Sequence, residues 1–351
     1  MKASILNMKI RFHPRDRLWF LADSNLEKLI IKCEMYVAGS INIEQLRQLI
    51  KEQIVNKYSK FHWVINPDST IKYQDDLDFS YHITQDQKIN LLKDKPLWRF
   101  NISKDQENTK IEFHIHHCLL DGLSLVSLLR QLAKANVSDH FLTKPLRKQF
   151  SPGIAFGVGI GVIKTLLRIL FAKTNHELKT GTKLTSSSRP ILTSKSVVTD
   201  FEDVLAETVK KKITSPKSLI GVPVSMVTNS QRVKAGLGNF FAFLPLTVDR
   251  GEHIFSDLKT KKKTREVLST YLVSMFIGSL PLKLGKYFVK FISSHIFGVI
   301  SGVYVSSNVL KILDKEITRI NAWAPILDGQ HFSITTVTYN RQITINEVSR
   351  V

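Results

Sequence analysis

The side chains best suited to chemistry are His116, His117, Cys118 and Asp121, set in the run His-His-Cys-Leu-Leu-Asp-Gly that ends at Gly122. A neutral imidazole is the side chain matched to proton transfer near pH 7. Upstream, Glu112, His114 and His116 alternate with Ile111, Phe113 and Ile115, the period of a strand. From Leu123 to Leu132 the apolar residues fall instead at helical spacing, and Asp121 is placed to cap the first turn. The pair therefore stands where a strand passes through a tight turn into a helix. Successive strand residues point to opposite faces, so one histidine meets the chemistry and the other packs or hydrogen-bonds. Asp121 follows His117 too closely to be assumed its triad partner; it caps the helix or pairs with a distant arginine. Gly122 leaves room for backbone or ligand to approach.

Three other readings compete. Cys118 beside His117 invites a thiolate nucleophile, but adjacent strand residues point apart. His114 and His116 share a strand face at a spacing that can chelate, yet no third ligand is evident, so no metal site is expected. The plain alternative is a structural histidine pair at a strand end.

The seven-residue run resembles the signature of the acyl-CoA-dependent acyltransferase superfamily, and further motifs resemble its wax ester synthase/diacylglycerol acyltransferase branch in the right order. These are the opening Pro14 to Ala22, Pro96-Leu97-Trp98, Val222-Pro223-Val224-Ser225, Gly238-Asn239 before a strand with Pro245-Leu246, and Ser307-Asn308-Val309. Taken without the resemblance, the opening is a segment with buried Trp19 and Phe20, and Pro96-Leu97-Trp98 is a proline at a strand entry with a core tryptophan. Departures are present too. Glu202 replaces the asparagine of the branch's Asn-Asp pair, of which Asp203 remains. The arginine usual after Ser225 is missing, and Leu310-Lys311-Ile312 replaces Pro-Gly-Pro. The Asp-Phe-Gly-Trp-Gly of plant acyltransferases is absent.

The resemblance implies an α/β fold of two chloramphenicol-acetyltransferase-like domains, each a mixed sheet with flanking helices, with an active-site channel between them. It implies a fatty acyl group passing from acyl-CoA, a co-substrate and not a resident cofactor, to a long-chain alcohol or diacylglycerol. His117 is then the base by its place as second histidine, with His116, Asp121 and Gly122 completing the catalytic set. Asn239, Ser307 and Asn308 are expected at the substrate. The competing readings are a non-catalytic membrane-associated lipid binder of the same fold and a condensation-type acyltransferase using a carrier protein.

Size and composition fit this frame. At 351 residues, with 43% hydrophobic and 23% charged residues, the chain is globular and long enough for two domains. We expect residues 1–150 as a first domain, 151–190 as an amphipathic crossover and linker, and 191–351 as a second. Cys33 and Cys118, far apart, make neither a disulfide framework nor a metal spacing, so a reducing compartment is the default. No secretory signal is read at the N-terminus.

A formal charge of +20 calls for an anionic partner. The basic residues spread along the whole chain, with one dense cluster at Lys259, Lys261, Lys262, Lys263 and Arg265, and no nucleic-acid motif accompanies them. A membrane or lipid-droplet surface ranks first as partner and a phosphate-bearing ligand such as CoA second, with no nucleic acid. The expected location is the cytoplasmic side of a membrane, at the endoplasmic reticulum, plasma membrane or lipid droplet. Two stretches bear on how deep contact goes. Residues 153–171 are too interrupted by charge for a span and fit an interfacial helix or one packed on the protein. Tyr271 to Tyr304 holds an amphipathic helix around Lys286 and Lys290, then an uncharged stretch rich in serine and glycine that reads as core or interface in preference to a weak span.

Overall fold

The computed structural model describes residues 12–23, 28–88, 90–92, 94–134, 161–163, 167, 190–197, 201–213, 218–227, 236–248 and 265–350. Strand β1 (Ile30–Ala38) turns Ile31, Cys33, Met35 and Val37 inward at alternate positions, and the hairpin of β5 (Trp98–Asp105) and β6 (Asn108–His116) does the same with Ile111, Phe113 and Ile115. The polar run from Ser103 to Asn108, which the sequence marks as a hairpin turn, closes it, with Gln106 at φ 55°. β1 pairs antiparallel with β6, Ile30 opposite His116. Strands β2 (Trp63–Ile65) and β3 (Ile71–Tyr73) form a separate antiparallel pair, and a short strand β4 (Ile83–Gln85) adds parallel to β5. Trp98 is fully buried, its indole N–H on the Phe61 carbonyl at 2.8 Å, so Pro96-Leu97-Trp98 serves the core.

The second sheet holds β7 (Ile191–Val197), β8 (Ser218–Ser225), β9 (Phe241–Val248), β10 (Gly298–Ser306), β13 (Phe332–Tyr339) and β14 (Gln342–Ser349). Their order is β7-β14-β13-β10-β8-β9, with β10 parallel to both neighbours and the other pairs antiparallel. Alternation in Ser333 to Tyr339 and in Gln342 to Ile345 predicts a hairpin around Asn340 and Arg341, and it is present. Both residues have positive φ, 48° and 59°, as a two-residue loop of the right twist demands.

The domain boundaries do not coincide with the sheets. β11 (Lys311–Ile312) and β12 (Lys315–Trp323), from the segment expected in the second domain, complete the first sheet, which runs β11-β12-β1-β6-β5-β4. β12 pairs antiparallel with β1, Trp323 opposite Lys32. The chain thus hands a strand back across the interface and locks the halves together. The crossover and linker expected at 151–190 lie outside the described residues, residues 161–163, 167 and 190 excepted. So does the basic cluster from Lys259, apart from the backbone of Arg265.

Helices flank the two sheets. α1 (Pro14–Leu21) starts with proline at its first position, where a missing N–H costs nothing. α4 (Gly122–Leu132) follows the double histidine; α2 (Ile43–Ile50) and α3 (Phe79–His82) precede it in the chain, and α5 (Phe201–Lys212) comes later. α6 (Arg265–Ser279) and α7 (Leu282–His295) form a helical hairpin through Leu280 and Pro281. Tyr271 to Tyr304 is therefore this hairpin plus β10. No helix among the described residues is long and apolar enough to cross a membrane.

α1 is fastened to the hairpin from two sides. The Arg17 guanidinium donates to the carbonyls of Gly278 (2.8 Å) and Leu280, at the C-terminus of α6 where unpaired carbonyls gather. Gly278 lies against Pro14 so closely that a Cβ would stand 2.0 Å from the Pro14 carbonyl oxygen. The obstacle is backbone, which cannot rotate away. Gly278→Ala is expected to lower stability by at least the ~1–3 kcal/mol of an overpacked core, and to shift α1. Thermal unfolding checks this; an unchanged Tm contradicts the packing.

Candidate active site

Strand pairing ends one step past β6, where the His117 N–H still reaches the Leu29 carbonyl at 2.8 Å. The chain then turns, the Leu119 N–H bonding back to the His116 carbonyl. Asp121 ends the turn, and both its carboxylate oxygens accept backbone N–H groups. One takes Ser124 at 2.7 Å and caps α4; the other takes Phe240 at 2.8 Å. Its own N–H reaches the Gly238 carbonyl, which also accepts the Ser124 hydroxyl. The turn after the double histidine and the Gly238-Asn239 turn before β9 are thus stitched together. Capping, one of the two roles expected of Asp121, is what the structure shows.

Asp121→Ala removes a cap, worth about 1 kcal/mol, and strands a buried N–H, costing ~1–3 kcal/mol more. Tm should fall, and activity should follow the folded fraction. Lost activity at an unchanged Tm would place Asp121 in the chemistry instead.

The second stitch fixes His117. Asn239 donates through Nδ2 to the His117 carbonyl (2.8 Å) and to Asp16 Oδ1 (3.0 Å). Both are acceptors only, so the amide can lie only one way, with Oδ1 facing the ring. His117 Nδ1 sits 2.9 Å from that oxygen. Nδ1 must therefore carry the hydrogen, and Nε2 the lone pair. Asp16 accepts the Asn239 backbone N–H as well (2.9 Å) and is held by the Lys60 ammonium at 2.6 Å. Trp19 stacks on the imidazole at 3.9 Å between centroids, with the Phe241 ring beyond at 5.8 Å. Burial, the dominant influence, pushes the His117 pKa down to about 4, so the ring is neutral at physiological pH.

His116 is a different case. Its Nε2 lies 2.9 Å from both oxygens of Asp23, and the Cys118 N–H donates to Nδ1 at 3.1 Å. Burial opposes charge on this ring, while Cys118 and the Asp23 carboxylate push the other way, and the balance is raised above the ordinary histidine value. A raised pKa favours the charged ring, but the Cys118 N–H is aimed at Nδ1, which can accept it only with a lone pair; that hydrogen bond places the ring's proton on Nε2, towards Asp23. Both nitrogens are committed to protein groups, an arrangement that braces the turn beside the expected catalytic set. The Cys118 thiol is fully buried, which pushes its pKa up, against a thiolate nucleophile. His114 shares the His116 face of β6, across from Lys32, and its Nε2 has no hydrogen-bond partner among the described residues. Among those residues no group of three or more His, Cys, Asp or Glu side chains is placed to hold a metal ion.

His117 and Gly122 border a cavity of about 120 Å³ between the two sheets. Its wall is mainly apolar, with Ile31 and Ile320 from the first sheet, Phe241 and Val303 from the second, and Leu125 from α4. A Cβ at Gly122 would come within 3.3 Å of Val303, so the glycine sets how closely α4 approaches β10. Asn239 acts on the His117 ring, as described, and is not among the residues lining the cavity. Ser307 and Asn308 were the other residues expected at the substrate. They lie in the turn after β10, Asn308 exposed with its N–H on Ser306 Oγ, and neither lines the cavity.

Sequence reading missed four residues: Asp16, Trp19, Asp23 and Lys60. Trp19 was expected to be buried, and is, but the stacking on His117 was not legible. The one signal was the resemblance at Pro14 to Ala22, which the plainer reading of that stretch left without a role.

Known structures share the fold. Over its whole length the chain superposes on 91% of a starter condensation domain of rhizomide synthetase RzmA, solved as a variant in complex with C8-CoA, with TM-score 0.61 and 12% identity. Over 97% of its length it superposes on 93% of the wax ester synthase/diacylglycerol acyltransferase from Marinobacter aquaeolei VT8, with TM-score 0.57 and 13% identity. The mixed-sheet acyltransferase fold expected from the sequence is the fold observed. More particularly, residues 241–349 match the family model described as WS/DGAT C-terminal domain. The resemblance to the wax ester synthase/diacylglycerol acyltransferase family thus recurs in a part of the chain that lacks the double histidine. No curated protein matches the chain.

Proposed function

We propose that the protein is an O-acyltransferase moving a fatty acyl group from acyl-CoA to a long-chain alcohol or diacylglycerol, with His117 as general base. The observation that carries this reading is the fixed tautomer: Nδ1–H is engaged by Asn239, so Nε2 keeps its lone pair. In the reaction Nε2 takes the hydroxyl proton of the acceptor while its oxygen attacks the thioester carbonyl. A C–O bond forms, the C–S bond breaks, and the departing thiolate takes the proton back from the imidazolium. A thiolate leaves readily, since its conjugate pKa is only about 8.5 in water. The apolar cavity wall suits a hydrocarbon chain. The net charge of +20 favours work at an anionic membrane or lipid-droplet surface, on its cytoplasmic side.

The experiment is incubation with labelled acyl-CoA and a panel of long-chain alcohols and diacylglycerols. Ester and free CoA thiol should appear in equal amounts. Neither product with any acceptor would leave the lipid-binding alternative. The condensation-domain likeness keeps a carrier-borne acyl donor as a second reading; ester formed only when the acyl group rides on a carrier protein would favour it.

Since burial holds His117 near pKa 4, acidification protonates it late. We expect kcat/KM to stay level from pH 8 through the ordinary histidine range and to fall only as pH nears 4. An acid limb centred near 6.5 would show a base in ordinary solvent and contradict the assignment.

A further inference from the structure

The α6–α7 hairpin has a covered side and a bare one. Gly278 and Gly285 face α1, where Cβ atoms would strike Pro14 and Leu21. Phe276 and Tyr287 each stand two residues from one of these glycines, about 200° around the helix, and each is 64% exposed. Leu272 and Leu284, both 44% exposed, add to the bare side. Single exposed apolar residues are ordinary, but two leucines, a phenylalanine and a tyrosine on one hairpin are not. Three lysines accompany them on α7: Lys283, Lys286 and Lys290, all exposed. From Val267 to Leu313 the sequence holds no aspartate or glutamate. The acid facing this group from outside is Asp328, 3.8 Å from Lys290 and shared with Arg350.

Beneath the hairpin lies a second apolar cavity of about 90 Å³. Val273 and Ile277 of α6 and Val289 and Ile292 of α7 line it. Trp19, Phe243 and Leu327 border both this cavity and the one at His117, so a wall of three side chains separates them.

We propose that the outer face of the α6–α7 hairpin seats the protein on an anionic lipid bilayer, with the second cavity, directly behind the hairpin, as the place where a lipid tail enters. Apolar and aromatic side chains beside lysines, with no acid on the hairpin after Glu266, are the composition by which a helix lies in a headgroup region. The acyl-transfer reading supplies the destination of the lipid; the docking itself stands on the hairpin.

The test is cosedimentation of the full chain with vesicles of phosphatidylcholine alone or mixed with phosphatidylglycerol. Wild type should pellet with the mixed vesicles and stay in solution with the neutral ones. The triple variant Lys283→Glu, Lys286→Glu, Lys290→Glu should lose on the order of 10²-fold or more in affinity. Phe276→Ser with Tyr287→Ser should also release the protein. Both variants should turn over a short, soluble acyl-CoA and alcohol at the wild-type rate. Variants that pellet like wild type, or wild type that ignores mixed vesicles or binds both kinds equally, would overturn the docking surface. Absence of soluble-substrate turnover in wild type would count against the acyl-transfer reading alone, since the vesicle result is read separately.

Discussion

Asp16→Asn is expected to lower kcat by ~10²–10⁴-fold, the range that a positioned general base contributes, although Asp16 is not placed to touch substrate. Its carboxylate accepts from Asn239 twice and from Lys60. An amide in its place must turn an NH₂ towards one of those donors. The easiest relief is rotation of the Asn239 amide, which would present NH₂ to His117 Nδ1. That nitrogen would then become the acceptor, the hydrogen would move to Nε2, and the base would be lost. Loss of the charge also leaves the Lys60 ammonium, only 15% exposed, without its partner. Breaking a buried pair from one side costs ~3–5 kcal/mol, so Tm should fall too. The positioning role is read in kcat measured on folded protein with KM little changed. A variant that loses stability but keeps its kcat would make Asp16 purely structural.

His117→Ala should reduce acyl transfer by at least the same ~10²–10⁴-fold and leave only background thiol release. Folding should survive, because the surrounding contacts do not depend on the ring. Asp121 still caps α4, and Asn239 still holds Asp16 and the His117 main-chain carbonyl. What is left open is Asn239 Oδ1, at a cost of ~1–3 kcal/mol unless water fills the space beside Trp19. The readouts are ester yield and the circular-dichroism melting curve. Retained turnover in the folded variant would remove His117 from the mechanism, whereas a variant that does not fold would show the ring to be structural.

The two variants also mark how far the sequence could be read. The strand to His116, the turn, the Asp121 cap and α4 were legible because each is set by residues a few positions apart. Period two gave way to period 3.6 across a capping carboxylate, and the structure keeps that junction. The tight hairpin at Asn340 and Arg341 was legible for the same reason. What sequence spacing cannot carry is a partner far along the chain. Asn239 reaches His117 across 122 residues and Asp16 across 223, and nothing local to any of them announces the others. β12 shows the same limit, since alternation tells which face of a strand is buried but not which strand lies beside it; its neighbour is β1, in the other half. The roles of the two histidines were hidden for a third reason. They are set by which ring nitrogen each neighbour engages, which only the placement of Asp23, Cys118 and Asn239 reveals. Ser307 and Asn308 were placed at the substrate by resemblance alone, and they lie outside the lining of the cavity at His117.

The central claim is that His117 is neutral and carries its hydrogen on Nδ1. It is tested most directly by ¹⁵N NMR of the histidine rings at pH 7, with the His117 signals assigned by their loss in His117→Ala. The account predicts a protonated Nδ1 and a bare Nε2, unchanged as the pH is lowered through 6.5. A proton on Nε2, or a doubly protonated ring at pH 7, would contradict it.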